Sequence, residues 1–540
     1  LQSNISLIFI DVFGEFLMPL LDKYTAPLTA KGAEHLLRRT MFGASRADIA
    51  ALTGKTIDQA LDMLLKDQTA PAPPIDPASG QTWVNDTMRT QNDGGYNNLM
   101  KAWWVGLMVN QPISITEKMT LFWHNHFASS WSVVNDSRYM YKQHQTLRRN
   151  ALGNVKTFVR EITIDPAMLR YLNGNSNEAG RNQENYAREL QELFTIGKGP
   201  EIAPGNYTTY TEDDVKAAAK VLTGWKDVNA TVTHRFAANL HDTTRKQFSS
   251  AYQNTIIEGR ATNEGLDELN DLLNMIFRQN ATSEYLVTKL YRYFVNFNIT
   301  DAVQKEVITP LAKIFRDNNF EVKPVLRALL SSVHFFDNNI IGCMIKTPLD
   351  LLVGTIRQLQ IKVPAQNQAA FYYSFFAQIQ NLSGALQQNL LELPNVAGWQ
   401  AYYQEPLFYQ IWVNTATMPS RANYSNTVIN GWTVNDQATQ TTQRITFDSI
   451  TFLQQFPNPE DPIKVIENLT QHFFAIDLTE IQKEQLLSTV LLPGLPEYEW
   501  TQEWSDFMRT PNDVAKRNQI KTKLDNLVRY MMRLAEYQIT

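Results

Sequence analysis

Helix punctuation recurs along nearly the whole 540-residue chain, and it restricts the fold more than any other feature. Ser45 can cap the run RADIAALTGK. Ser114 and Glu117 form a capping box opening a helix through Ala128, and Asp165-Pro166 sets a cap before a proline at the first helical position. Thr211 and Asp214 make a second box ahead of EDDVKAAAKVL, which stops at Gly224. Between these signals the apolar residues return with helical period. They do so at 32–65 (two helices broken at Gly43), 266–278, 283–294, 303–318 with a break near Pro310, 324–332, 348–359, 462–474, 479–492 and 512–537. In 226–250 the period is lost and Val232, His234 and Phe236 alternate, so a short strand or hairpin is expected there. Residues 423–447, rich in Thr, Asn and Gln, read as loop or minor strand.

The expected fold is all-α, a large multi-helix globular domain over 31–540 with minor β-hairpin embellishments and a candidate lobe boundary near 226–262. Residues 1–30 read as an amphipathic docking segment. The run 5–21 is apolar, but Asp11, Glu15 and Pro19 interrupt it, so it does not read as a membrane span. It has neither the basic leader nor the small-residue cleavage site of a signal peptide. Because the sequence starts at Leu1 rather than Met, a processed or trimmed product is expected.

Composition excludes several classes. An apolar fraction of 44% with 19% charged residues is that of a soluble globular chain. A net charge of −5 with both signs interspersed leaves no footprint for nucleic acid or an anionic membrane. The basic run near the C-terminus reads as a solvated face, since acidic residues dot it. With Cys343 as the only cysteine, the chain can form neither an intramolecular disulfide nor a thiolate zinc site. Phosphate-binding and dinucleotide glycine loops, a Gly-x-Ser-x-Gly elbow, the zinc-protease His-Glu-x-x-His and a Cys-x-x-Cys-His haem signature do not occur.

The densest cluster of ionisable groups is NQENYARELQELFTIG, residues 182–197. At about 100° per residue, Tyr186, Ala187, Leu190, Leu193 and Phe194 share one face, and Glu184, Arg188, Glu189 and Glu192 occupy the other. Asn182 is the expected N-cap and Gly197 the expected stop. Spacings of four let Arg188 pair with Glu184 and Glu192, which makes the face a salt-bridge ladder. Alternatively, Glu189 and Glu192, three apart, share a cation or a proton. In that reading His126, His241 and Asp242 complete a site for a hard divalent cation or iron, with Glu184, Arg188 and Asp214 as catalytic candidates. His124 and His126 cannot clamp one ion if 117–128 is a single helix, since they then lie about 200° apart. A hydrogen-bonded core histidine is the expectation at 126.

At these residues the chain resembles a bacterial family known as domain of unknown function 1800. The resemblance is carried by AEHLLRRTMFGAS (33–45), EKMTLFWHNHFAS (117–129), DPAMLRYLNG (165–174), ENYARELQELFTIG (184–197), YTEDDVKAAAKVLTGW (210–225) and His241-Asp242 with Lys246. It continues through IKTPLDLLVGTIR (345–357), PNVAGWQ (394–400) and WVNTATMPSR (412–421). The resemblance implies a mostly helical, exported protein, often encoded beside a phosphatase- or sulfatase-like partner, with no established reaction. The chain departs from the family pattern at 200–206 and in long insertions that include 360–390 and the Thr/Gln-rich stretch, which could serve a specialised partner. The expected function is that of an exported binding or assembly component of the cell envelope or extracellular space, with a protein partner. The alternative is a metal-dependent hydrolase built on the carboxylates and histidines named above.

Overall fold

The computed structural model describes residues 19–261 and 265–540, so most of the expected docking segment lies outside the described residues. The chain is mostly helical, and its β structure among the described residues consists of four two-stranded antiparallel hairpins. One pairs Trp225–Val228 with Thr233–Phe236, where alternation predicted it. Ser45 with Asp48, and Thr211 with Asp214, close capping boxes, and Asp165 caps the helix Pro166–Tyr171 with proline in its first turn. The break near Pro310 is a π-helical stretch, Gln304–Ile308, leading into Thr309–Asp317.

Two local readings are corrected. Ser114 and Glu117 do not form a box: the helix is Thr116–His126, its N-cap Ile115 makes no side-chain bond, and Ser114 Oγ accepts from Thr116 N at 3.2 Å. The Glu117 carboxylate instead accepts from Trp104 Nε1 (3.1 Å) and Arg148 Nε (2.8 Å). For a buried carboxylate, a charge-assisted tertiary partner outweighs the local backbone amide. Residues 423–430 are helical, the second half of Thr417–Asn430. The buried stripe there includes Thr417, Arg421 and Ser425 beside Tyr424 and Val428, so hydropathy concealed it. Gly431, at φ +83°, ends the helix and begins the expected minor strand, in the hairpin Trp432–Asp436 with Thr441–Ile445.

The insertions pack inward. Helix Ala369–Ala385 buries Tyr372, Phe375 and Phe376 and lies along Asp93–Asn110. Its Phe375 meets Trp432 of the hairpin at 5.4 Å. At 201–207 the interposed residues form a small hairpin, Glu201–Ala203 with Asn206–Tyr207.

Apolar side chains gather into two clusters, one drawn from 28–340 and the other mainly from 83–140 and 349–537. Thr116–His126 runs between them, giving Phe122 and Trp123 to the first and Leu121 to the second. All of its residues are buried, as are all those of Pro348–Gln358. Most of Ala30–Thr40 is buried as well, so these elements carry charges inside the protein that must be paired there.

Candidate functional site

The segment singled out by its charge density begins at Asn185, not at Asn182: the N-cap is Glu184 and makes no side-chain bond. Asn177 Oδ1 fixes the approach by accepting from Gln183 N at 2.9 Å. After one α-turn, Asn185–Glu189, the backbone widens into a π-helix, Leu190–Thr195. Such widening often marks functional segments, and the last carbonyls, left without helical partners, are taken by tertiary donors. Leu193 O accepts from Tyr285 OH (3.0 Å) and Lys289 Nζ (3.2 Å), and Phe194 O accepts from His126 Nε2 (3.0 Å). Gly197 stops the segment as expected, at φ +77°, and any Cβ there would lie 2.4 Å from the Tyr285 ring.

The polar face is met mainly by groups from outside the segment. Arg188 donates to both oxygens of Glu212 (2.6 and 2.8 Å) and more weakly to Glu184 (3.4 Å). The hydrogen bonds to Glu212 raise the Arg188 pKa despite burial. Glu192 does not join this ladder. It accepts from Tyr210 OH at 2.5 Å and faces Lys198 at 3.4 Å. Glu189 makes no hydrogen bond among the described residues. Burial, then the charge of Glu192, push its pKa up to about 7.

The other candidate residues are held elsewhere. His126 is buried in an aromatic cage that includes Phe122, Trp123, Phe127 and Phe194. Its bond to a carbonyl puts the proton on Nε2, and desolvation lowers its pKa well below the usual range. His241 Nδ1 lies 2.9 Å from Thr223 O and Nε2 lies 3.0 Å from Glu268 Oε1. Thr223 Oγ1 also lies 3.0 Å from Nδ1, so both ring nitrogens are engaged by partners within the protein. Glu268 also accepts from Lys246 Nζ at 2.6 Å, which completes a buried His–Glu–Lys triad. Asp242 closes a turn onto Thr244 N at 2.8 Å. Asp214, fully buried, accepts from Thr211 N (2.8 Å), Thr211 Oγ1 (2.9 Å), Ser249 N (2.6 Å) and Ser249 Oγ (2.7 Å). Among the described residues, no group of three or more His, Cys, Asp or Glu side chains is placed to share a metal ion.

The structure thus brings Glu184, Arg188, Glu189 and Glu192 to one face but unites them with neither histidine. Sequence reasoning missed Glu212, Tyr210, Glu268 and Lys289, because their partners lie many residues away. It also passed over a set of buried charges in Ala30–Thr40, Thr116–His126 and Pro348–Gln358: Arg38, Arg39, Lys118 and Asp350. The available signal was the presence of charged residues inside otherwise apolar helical runs.

Fold and site together define a large helical protein whose acidic helix is held chiefly by Arg188 pairing with Glu212 of a neighbouring helix. A family model described as "Protein of unknown function (DUF1800)" matches residues 35–539, and the chain belongs to that family. No curated protein and no solved structure matches it.

Proposed function

We propose that the protein is an exported binding or assembly component of the cell envelope or extracellular space, acting on a protein partner rather than through catalysis at the acidic helix. The observation that carries this reading is the two-oxygen bond of Arg188 to Glu212, which with the Tyr210–Glu192–Lys198 contacts ties the helix face to its neighbours in the fold. Export and a phosphatase- or sulfatase-like partner are supported by the family resemblance. No helix among the described residues is long and apolar enough to cross a membrane. The test is elemental analysis of protein from its native source together with identification of what co-purifies. A stoichiometric partner with less than one-tenth of an equivalent of metal is expected. One equivalent of a hard divalent cation or iron, lost on Glu189→Gln, would overturn the reading.

That second outcome belongs to the alternative, a metal-dependent hydrolase. One observation favours it: Glu189, half-buried and without a hydrogen bond among the described residues, caps the π-helical turn that carries Glu192. A guest cation there would be ligated by these two carboxylates, with His126, His241 and Asp242 held elsewhere by their own partners.

A further inference from the structure

A second locus, remote in character from the acidic helix, has the opposite polarity. A narrow cavity of about 30 Å³ lies where Arg38, Arg39, Lys118, Arg292, Tyr402 and Trp412 meet, with Asp350 the carboxylate side chain in its wall. Arg38 is neutralised by Glu34 at 2.6 Å and Lys118 by Asp350. The other two cations form no ion pair among the described residues. Arg39, only 3% exposed, uses Nη2 on Ile340 O (2.7 Å) and on Cys343 Sγ (3.3 Å), while its Nε and Nη1 are buried without an acceptor. Arg292 lies over the Phe408 ring at 4.9 Å and its Nε is likewise buried without an acceptor. The Tyr402 hydroxyl and the Trp412 indole N–H are also buried and unmatched among the described residues.

These orphaned groups share one chemical character. The guanidinium and indole N–H groups only donate, the phenol can donate, and two of the four side chains carry a fixed positive charge. Arg39 is the costly member, a buried guanidinium with no ion pair among the described residues, whereas Arg292 is half-buried and feels the charge of Glu405; native proteins leave few buried donors unmatched. The Asp350 carboxylate cannot resolve this, because it is already engaged by Lys118 and by Thr347 Oγ1 at 2.9 Å, and Thr540, which also lines the cavity, pairs through its backbone with Met344. The complement of such a wall is a compact group rich in acceptor oxygens and bearing negative charge, which arginine forks recognise through paired N–H bonds. The free space, on the order of two water molecules, admits a head group and nothing larger. Phe297, with Phe408 at 5.4 Å and Tyr409 at 5.0 Å, lines it with aromatic rings that exclude water. Arg38, Arg39, Lys118, Asp350 and Trp412 all fall within segments that carry the family resemblance.

We propose that this cavity is a binding site for a single small oxyanion group, a carboxylate, phosphate or sulfate, held between Arg39 and Arg292 with the Tyr402 hydroxyl and the Trp412 N–H as further donors. The proposal goes beyond the binding role above and does not depend on the state of the acidic helix, so a metal result there leaves it standing.

The test is calorimetric titration of the full chain with sodium acetate, inorganic phosphate and sulfate, and with benzoate and phenyl phosphate as tailed counterparts, against chloride at matched ionic strength. Saturable one-to-one binding of at least one oxyanion is expected. Tyr402→Phe, which removes only a hydroxyl, should weaken it about fivefold, and Arg292→Gln at least tenfold, each with an unchanged circular dichroism spectrum. Saturation by the inorganic ions would identify a free anion as ligand, and saturation by the tailed acids alone would identify an acidic group presented by a larger molecule. Absence of saturable binding for every probe, or equal affinity in parent and both folded variants, would overturn the proposal.

Discussion

Replacing Glu189 by Gln isolates the unbonded carboxylate at the head of the π-helical turn. Burial and the neighbouring Glu192 charge hold Glu189 near 7 instead of its ordinary 4.5. A carboxyl raised in the folded state contributes stability that is fully present below the unfolded pKa and is lost as pH rises through the folded one. Ionising it in place costs ~3 kcal/mol in the limit of full burial, and solvent screening of a half-exposed side chain reduces this to about 1–2 kcal/mol. Glutamine keeps the size and removes the ionisation. Glu189→Gln is therefore expected to be more stable than the parent by about 1–2 kcal/mol at pH 8, and within about 0.5 kcal/mol of it at pH 4.5, where the parent carboxyl is protonated when folded. Urea unfolding of both proteins at the two pH values, compared by midpoint at constant slope, measures the gap. A variant less stable than the parent at pH 8 would refute the reasoning, since it would mean that the ionised carboxylate is held by a cation.

Four further substitutions have expected outcomes. Arg188→Ala should cost only about 0.5–1 kcal/mol, less in 1 M salt, because both partners of its main pair are about one-third exposed; urea midpoints at low and high salt check this. Lys246→Met should cost about 3–5 kcal/mol, because it strands the Glu268 charge in a buried site beside His241; a small change in the urea midpoint would contradict the triad. Gly197→Ala, with φ +77° and the Tyr285 ring 2.4 Å from the added carbon, should lower stability by about 2–3 kcal/mol. Gly54→Ala, at φ +79° with nothing within 4 Å, should cost only the backbone strain, about 1 kcal/mol, and thermal unfolding of the two variants separates strain from clash.

Much of the helical skeleton was legible because its signals act over three or four residues. Ser45 reaches Asp48, Thr211 reaches Asp214, and Glu184 reaches Arg188, all set by helix geometry alone. The same rule misassigned Ser114 and Glu117, whose local bond lost to Arg148 and Trp104 once the helix was enclosed on all sides. It also paired Arg188 with Glu192, although the stronger partner, Glu212, arrives from the next α-helix. The π-turn at Leu190–Thr195 left no mark in hydropathy, since it turns polar Gln191 and Thr195 inward beside Leu190 and Phe194.

By itself the sequence determined a mostly helical class, the places where many helices begin and stop, the absence of an intramolecular disulfide within these residues, and membership of a family. Tertiary structure alone decided which charges face each other. It put His241 on Glu268 rather than beside Glu189, and it gathered Arg39 and Arg292, more than two hundred and fifty positions apart, around one cavity. The physical reason is range: backbone periodicity is written in neighbouring residues, whereas the cost of burying a charge depends on every element that closes over it.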